Sequence, residues 1–152
     1  MIDIRQADKN DAQILFDLIM AIAEHHDQVR YVLTSPAELL AAGFGDDRKF
    51  AALIAEYEGA TAGFLSFTIG YSIWLGSDFM RIDDVFVDAR YRGKSIGEAL
   101  MLAARAHCEK LGIAHAKWEM QRNNDGARRF YQRLGATHQD KEVFTWDWSN
   151  RG

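Results

Sequence analysis

The sequence predicts a mixed α/β fold in which a single sheet is flanked by helices. Strand-like runs alternate with helix-like runs along the chain, which is the pattern of a sheet covered by helices. The 152 residues are 48% hydrophobic and include 18 aromatic residues, enough for a substantial core. A chain of this length suits one domain, and we expect residues 1–152 to form it.

The first predicted elements are a strand over residues 2–6 and a helix that ends near His25. Asn10 or Asp11 is the expected cap of this helix, because short polar side chains accept hydrogen bonds from the first helical amides. Apolar residues recur on one face of the helix at Ile14, Leu15, Leu18, Ile19 and Ile22.

A short helix and a hairpin are predicted next. Pro36, the only proline, opens a helix over residues 37–42 that Gly43 is expected to end. Strands are predicted over residues 50–57 and 62–73, and the short glycine-containing turn between them indicates a hairpin.

The second half of the chain continues the alternation of strands and helices. Its predicted elements are strands at 79–87, 113–120 and 142–148 and helices at 95–110 and 124–134. Trp146 and Trp148 alternate with polar neighbours, so we expect both side chains on one face of the last strand.

Charge and targeting signals bound the function classes. A net charge of −4 argues against a nucleic-acid partner, which selects a basic surface. The N-terminus lacks a signal-peptide pattern, and no apolar run approaches the ~20 residues that span a bilayer. A single cysteine, Cys108, cannot form an internal disulfide. We therefore expect a cytoplasmic protein with no membrane partner.

The most informative segment is a small-residue turn, RGKSIG at residues 92–97, between a predicted strand and a predicted helix. The first amides of a helix have no partner inside the helix and carry partial positive charge. Such a turn binds anions, and a pyrophosphate fits it well. Gly93 and Gly97 leave room for a phosphate, while Arg92 and Lys94 add positive charge. An ordinary surface turn before a helix with a buried stripe is the alternative.

Two motifs together resemble the GNAT family of N-acetyltransferases. Residues 92–97 resemble the family's first motif, Gln/Arg-x-x-Gly-x-Gly/Ala, with Ser95 where glycine is usual. Residues 124–136, NDGARRFYQRLGA, resemble the second, Asn-x-x-Ala-x-x-Phe-Tyr-x-x-x-Gly. The resemblance covers the whole chain and is nearest to the spermidine/spermine (diamine) and thialysine branch.

This resemblance implies a fold, a donor and a reaction. The fold is a mostly antiparallel sheet of six or seven strands with a splayed parallel pair, flanked by about four helices. The donor is acetyl-CoA, the acceptor is a small primary amine such as a diamine or an amino-acid side chain, and transfer is direct in a ternary complex. A homodimer is also implied.

The resemblance further assigns residues to the donor. Val85 and Val87 would act through their backbones beside the thioester. The full set of donor-binding residues that it implies is Val85, Phe86, Val87, Arg92, Gly93, Lys94, Ser95, Ile96, Gly97, Glu98, Asn124, Ala127 and Tyr131.

Two catalytic roles are expected from the same comparison. Tyr131, in the second motif, is the expected general acid for the leaving thiolate, although its apolar helical spacing alone indicates a core residue. Asp83 is the expected base or anchor for the amine, which is protonated at neutral pH. Asp83 and Asp84 are adjacent on a strand, so we expect them on opposite faces, with only one lining the acceptor site. The structural alternative is that one of the two aspartates caps a turn or pairs with Arg81.

Further acceptor-binding candidates are His25, His26, Trp74, Asp84 and Glu119. The two histidines follow the first helix, where a solvated cap is the simpler interpretation. Trp74 offers an aromatic wall for a cation or ordinary packing. The histidines and Cys108 form no metal-ligand spacing, so no metal is expected.

Three other functions remain open. The same fold acetylates protein or peptide termini, which would need a long open acceptor groove. A non-catalytic coenzyme A sensor would bind the donor without turnover. A nucleic-acid module would need a basic face, for which Arg128, Arg129 and Arg133 are the one hint.

Overall fold

The computed structural model describes residues 1–149, which divide into two compact units. The first unit spans Met1–Glu119, and the second begins at Met120. The first contains a sheet and three helices, and the second contains one helix. Among the described residues, no helix is both long enough and apolar enough to cross a membrane.

The strands are β1 (Ile2–Gln6), β2 (Ala51–Tyr57), β3 (Ala60–Ser72), β4 (Ser77–Val87) and β5 (Ala116–Lys117). The helices are α1 (Ala12–His25), α2 (Pro36–Phe44), α3 (Ile96–Lys110) and, in the second unit, α4 (Asp125–Arg133). The sheet has the order β1-β2-β3-β4-β5. Its first three pairings are antiparallel, and β5 runs parallel to β4. The predicted mixed fold with one parallel pair is therefore confirmed.

Five strands are present in the described residues, fewer than the six or seven expected. The strand predicted over residues 113–120 is only two residues long, because β4 develops a bulge just after its pairing with Lys117. Bulges bend a strand and end its pairing. The predicted strand at 142–148 is wrong: within residues 1–149 this segment forms no strand and has no strand partner. Alternating side chains do not by themselves supply a neighbouring ladder. Trp146 and Trp148 are exposed there, with ring centroids 5.5 Å apart.

The start of α1 is held by an ion pair that crosses three elements. Asp11 is the N-cap residue, as predicted, but its carboxylate does not cap the helix. It accepts hydrogen bonds from Arg5 of β1 at 2.7 and 2.9 Å and from the amide of Asp8 at 2.8 Å. Glu56 of β2 also accepts from Arg5, at 3.2 Å. Asp11 is only 4% exposed, so this pairing satisfies a charge that would otherwise be costly to bury.

Helix α2 does not end at Gly43, which corrects the prediction. Ser35 caps the helix by accepting from the amide of Glu38 at 3.1 Å, and the helix continues to Phe44. A Cβ atom at Gly43 would lie 2.5 Å from the Phe50 ring. Gly43 therefore allows close packing between α2 and the residue that precedes β2.

The predicted hairpin between β2 and β3 is confirmed. Its turn has positive φ at both Glu58 and Gly59, as a type I′ hairpin turn requires.

The two faces of the sheet are covered by different helices. Leu15 and Leu18 of α1 pack with Ala52, Ile54 and Phe64 in one buried cluster. The opposite face meets α3, where the Sγ atom of Cys108 lies 3.7 Å from the Sδ atom of Met80. The sheet thus separates two apolar layers. The candidate functional residues of β4 lie at the bulge that interrupts this strand.

Candidate functional site

A β-bulge in β4 places two carboxylates on the same face of the sheet. Ser66 of β3 pairs with Asp84, while the next residue, Phe67, pairs with Ile82. Asp83 is therefore an extra residue that has no partner of its own, and the alternation of side chains is broken there. The expectation that Asp83 and Asp84 point to opposite faces is wrong for this reason, and both line one cavity.

The cavity has a volume of about 190 Å³ and lies between the sheet and the helices α1 and α2. Its walls are mostly apolar, and its polar groups are Ser66 and the two aspartates. It has room for a ligand of roughly six heavy atoms, judged by the ~30 Å³ that a water occupies in the liquid. The lining residues are Leu15, Ile19, Leu39, Phe50, Ala52, Phe64, Ser66, Asp83 and Asp84. This arrangement suits a short apolar chain that ends in a cation.

The two carboxylates have different surroundings. Asp84 accepts a hydrogen bond from the hydroxyl of Ser66 at 2.9 Å. The pKa of Asp83 is raised, first because the carboxyl is partly removed from water and second because Asp84 places a negative charge beside it; Arg81 opposes this shift. No ion pair joins Arg81 to either aspartate in the described residues. Asp83 is therefore a stronger base than an ordinary aspartate, next to an anchored anion.

Beyond Arg81, β4 has an edge that faces no strand of the described residues. The amide of Asp88 donates to the carbonyl of Ala62 at 2.8 Å, so Val87 and Gly63 form a non-hydrogen-bonded pair. In such a pair the backbone groups point away from the neighbouring strand. The same alternation applies to Val85, whereas the side chain of Phe86 packs against the core cluster. Val85 and Val87 thus direct backbone donors and acceptors to the open edge.

The loop after β4 presents a row of unbonded amides. No acceptor within residues 1–149 receives a hydrogen bond from the amides of residues 93–98. The first bond of α3 runs from the amide of Ala99 to the carbonyl of Ser95. Ile96, the first residue of α3, is buried, and Gly97 and Glu98 complete the first turn of the helix. The helix start is therefore open to an anion.

Two backbone turns and two cations shape this loop. Gly93 has φ +80° and Ser95 has φ +63°, and the Ser95 side chain does not cap the helix. Arg92 and Lys94 are exposed, and neither forms an ion pair with a carboxylate in the part of the chain that the structure describes. Free amides beside two exposed cations match the chemistry of a diphosphate.

The second unit contains the remaining motif residues. Asn124 caps α4 by accepting from the amide of Ala127 at 3.1 Å, so these two residues stabilise the helix start. Arg128 forms an ion pair with Asp125 at 2.6 Å. The Phe130 and Tyr131 rings lie 5.1 Å apart, and burial raises the pKa of Tyr131. A phenol with a raised pKa stays protonated at neutral pH, which is the form that can donate a proton.

Four of the predicted acceptor-binding residues do not line the cavity. His25 and His26 are exposed at the end of α1, with their rings 5.0 Å apart. Trp74 lies in the turn between β3 and β4 and is 98% exposed. Glu119 is exposed two residues beyond β5. Within residues 1–149 no group of three or more His, Cys, Asp and Glu side chains could hold a metal ion.

Sequence reasoning missed Ser66 and the cavity residues Leu39, Phe50 and Phe64. Ser66 reaches Asp84 only because β3 pairs with β4 across the bulge. The one signal in the sequence was a polar residue between the apolar residues Leu65 and Phe67, which an alternating strand also explains.

Comparison with known proteins identifies related sequences and folds. The sequence profile of the acetyltransferase (GNAT) family matches residues 13–136. Thialysine N-epsilon-acetyltransferase of Mus musculus is 30% identical over 146 residues, covering 88% of this chain and 82% of that protein. L-ornithine N5-acetyltransferase NATA1 of Arabidopsis thaliana is 33% identical over 75 residues, covering 49% of this chain and 33% of that protein.

A solved structure shares the fold at low sequence identity. It is an aminoglycoside acetyltransferase from an uncultured soil metagenomic sample, in complex with sisomicin. The two chains superpose with a TM-score of 0.81 at 17% identity, covering 98% of this chain and 97% of the other. At this identity the likeness establishes a common fold and nothing finer.

Proposed function

Because this chain belongs to the acetyltransferase (GNAT) family, we propose that it transfers the acetyl group of acetyl-CoA to a small primary amine. The observation that carries the proposal is the bulge at Asp83, which brings two carboxylates to one apolar cavity beside the open edge of β4. Both units would belong to one N-acetyltransferase domain, since the family profile spans residues 13–136.

The acceptor is proposed to be an amine on a short chain, such as a diamine or an amino-acid side chain. The carboxylates attract an ammonium group, and the apolar walls accept methylene groups. The relatives that act on thialysine and on ornithine support this class. A volume of about 190 Å³ is too small for a peptide, so the cavity favours a small molecule over a protein terminus.

The donor is proposed to bind along the loop and the β4 edge. The amides of residues 93–98, with Arg92 and Lys94, would hold its diphosphate. The outward backbone groups of Val85 and Val87 would hold the pantetheine arm. When bound, the thioester supplies an activated acetyl group. A backbone N–H of this edge would donate to the acetyl oxygen as negative charge develops on it.

Proton movement is assigned to two side chains. Asp83 removes the proton of the ammonium, directly or through water, because an amine with a pKa near ~10 is protonated at neutral pH. Its raised pKa makes it a better proton acceptor than an ordinary carboxylate. Tyr131 gives a proton to the leaving thiolate, a role that its position in the second motif supports.

Two further features accompany the proposal. A cytoplasmic location is consistent with the one free thiol, Cys108, which is buried. A homodimer is the assembly that we expect, and sedimentation of the purified protein would test it.

The decisive experiment measures thiol release from acetyl-CoA across a panel of alkyl monoamines, diamines, diamino acids and peptides with a free N-terminus. We expect turnover with short primary amines and little with peptides. Tyr131→Phe is expected to lower kcat by about 100-fold, the lower range for a lost general acid. Tyr71→Phe, which removes an exposed phenol from β3, is the matched control.

Two outcomes would contradict the proposal. Full activity in Tyr131→Phe would remove this residue as the acid. Tight binding of coenzyme A without turnover of any amine would favour the sensor function instead.

A further inference from the structure

Two cations beside the open amides are held in different ways. Arg90 lies over the Tyr91 ring, with its Cζ atom 5.5 Å from the ring centroid. It also forms a bidentate ion pair with Asp88, with both N–O distances at 3.1 Å. The carboxylate cancels the charge of Arg90, so this residue serves the turn and offers little to an anion.

Lys94 has an aromatic partner but no carboxylate partner in the described part of the chain. Its Nζ atom lies 5.0 Å from the centroid of the Tyr57 ring, at the end of β2. The electron-rich face of an aromatic ring attracts a cation without cancelling its net charge. The ammonium is therefore restrained and yet remains available to a negatively charged ligand.

The Tyr57 ring is itself supported from the side. Its centroid lies 5.9 Å from that of Tyr91, which belongs to the turn between β4 and the loop. Tyr57 is half-buried and is fixed in the sheet by the pairing of β2 with β1 and β3. A rigid ring from a distant part of the sequence thus holds a flexible side chain of the loop.

We propose that Tyr57 is a positioning residue for the donor, because its ring holds the uncancelled Lys94 ammonium in the loop that presents the amides of residues 93–98. This inference rests on the proposed function, which makes a diphosphate the ligand of that loop. A lysine has a long side chain with several rotatable bonds, and ordering this side chain on binding costs free energy. Restraint before binding reduces that cost, and the gain appears as affinity for the donor.

The test is the affinity for coenzyme A, measured by calorimetry at low and at high ionic strength. Tyr57→Leu is expected to raise Kd about three-fold at low salt, the size of one exposed cation–π contact. Tyr57→Phe keeps the ring face and should restore the affinity of the original protein. Tyr71→Leu removes an exposed tyrosine of β3 that lies over no cation in the described residues and is the matched control.

A double-mutant cycle separates positioning from a general effect on folding. Lys94→Met should weaken binding more than Tyr57→Leu, and adding Tyr57→Leu to Lys94→Met should change Kd no further. The loss in Tyr57→Leu should shrink at high salt, because screening weakens the contribution of the ammonium. In turnover assays Tyr57→Leu should raise KM for the donor and leave kcat unchanged.

Different failures have different meanings. If coenzyme A binds the original protein and Tyr57→Leu leaves its Kd unchanged, the role of Tyr57 is overturned and the proposed function stands. The same conclusion follows if Tyr57→Leu weakens binding equally with and without Lys94. If the original protein does not bind coenzyme A at all, the proposed function and this inference are both overturned.

Discussion

The two halves of β4 have the same neighbour on one side and different surroundings on the other. Residues 77–82 pair with β3, and within this half Met80 and Arg81 also pair with β5. Asp83 has no partner because it is the extra residue of the bulge, and residues 84–87 then pair with β3 alone. The first half buries Phe79, Met80 and Ile82, whereas the second directs carboxylates to a cavity and backbone groups to an open edge. One strand therefore combines a stabilising segment with a segment whose polar groups remain available for chemistry.

The largest expected effect is on turnover, in the second half. Asp83→Asn should lower kcat by about 10²–10⁴-fold, because the amide cannot accept the proton of the amine. Asp78→Asn, an exposed residue in the first half, is the matched control and should turn over normally. Stopped-time thiol-release assays with the best amine of the panel provide the measurement. Equal kcat values for both variants would remove the functional difference between the two halves.

The converse effect is on stability, in the first half. Met80 is fully buried against Cys108, so Met80→Ala should lower the free energy of unfolding by about 2–5 kcal/mol through the cavity it leaves. The kcat of the folded protein, measured well below the unfolding transition, should stay within about two-fold of its original value. Urea unfolding followed by tryptophan fluorescence measures the first quantity. An unchanged free energy of unfolding in Met80→Ala would show that residues 77–82 are not the stabilising segment of β4.

A smaller effect is expected on the pKa of Asp83, in the second half of β4. The pKa of Asp83 is raised by partial desolvation and by Asp84 and is lowered by Arg81. Asp84→Asn should therefore lower this pKa, and Arg81→Gln should raise it further. Carbon-detected NMR titration of the Asp83 carboxyl group measures both shifts. Shifts of the same sign in the two variants would contradict the assigned causes.

The raised pKa of Asp83 also determines whether its carboxylate favours or disfavours folding. A raised pKa means that the folded protein binds the Asp83 proton more tightly than the unfolded chain does. This carboxylate therefore disfavours folding at neutral pH, and its unfavourable contribution disappears as the pH falls below the carboxyl range. Asp83→Asn should consequently not destabilise the protein at pH 7, which makes its loss of turnover a change in chemistry rather than in folding.

The smallest expected effect concerns the loop that follows the second half of β4. Ser95 has the left-handed conformation with φ +63°, which costs a side-chain-bearing residue roughly 1–2 kcal/mol. Ser95→Gly should raise the free energy of unfolding by up to about 1 kcal/mol, since glycine's greater freedom in the unfolded chain offsets part of the relief. Thermal unfolding measures this change, with Ser77→Gly in the first half of β4 as a control that should destabilise. A loss of stability in Ser95→Gly would contradict the strain assigned to the loop.

Local patterns in the sequence predicted most of the elements and the small-residue loop before α3. The apolar period of α1 and α3, the glycine-containing hairpin turn and the small residues before α3 are all encoded by neighbours in the chain. The unbonded amides of residues 95–98 follow from the same local signal, because every helix start leaves its first four amides unpaired. The two motifs also predicted the family correctly.

Other features depended on partners distant in the sequence. The sequence predicted strands at 113–120 and 142–148, but a strand exists only where another chain segment supplies its hydrogen bonds. Gly43 was predicted to end α2, but it lies inside the helix with the Phe50 ring packed against it. The opposite placement expected for Asp83 and Asp84 failed because a bulge depends on the register between two strands.

By itself the sequence determined the mixed fold, the small-residue loop with its two cations and the family, because these depend on residues close together along the chain. Only the tertiary structure decided that Asp83 and Asp84 share a cavity, that Ser66 anchors one of them and that Tyr57 faces Lys94. The physical reason is that strand register and ring-to-cation contacts join residues that no local pattern relates.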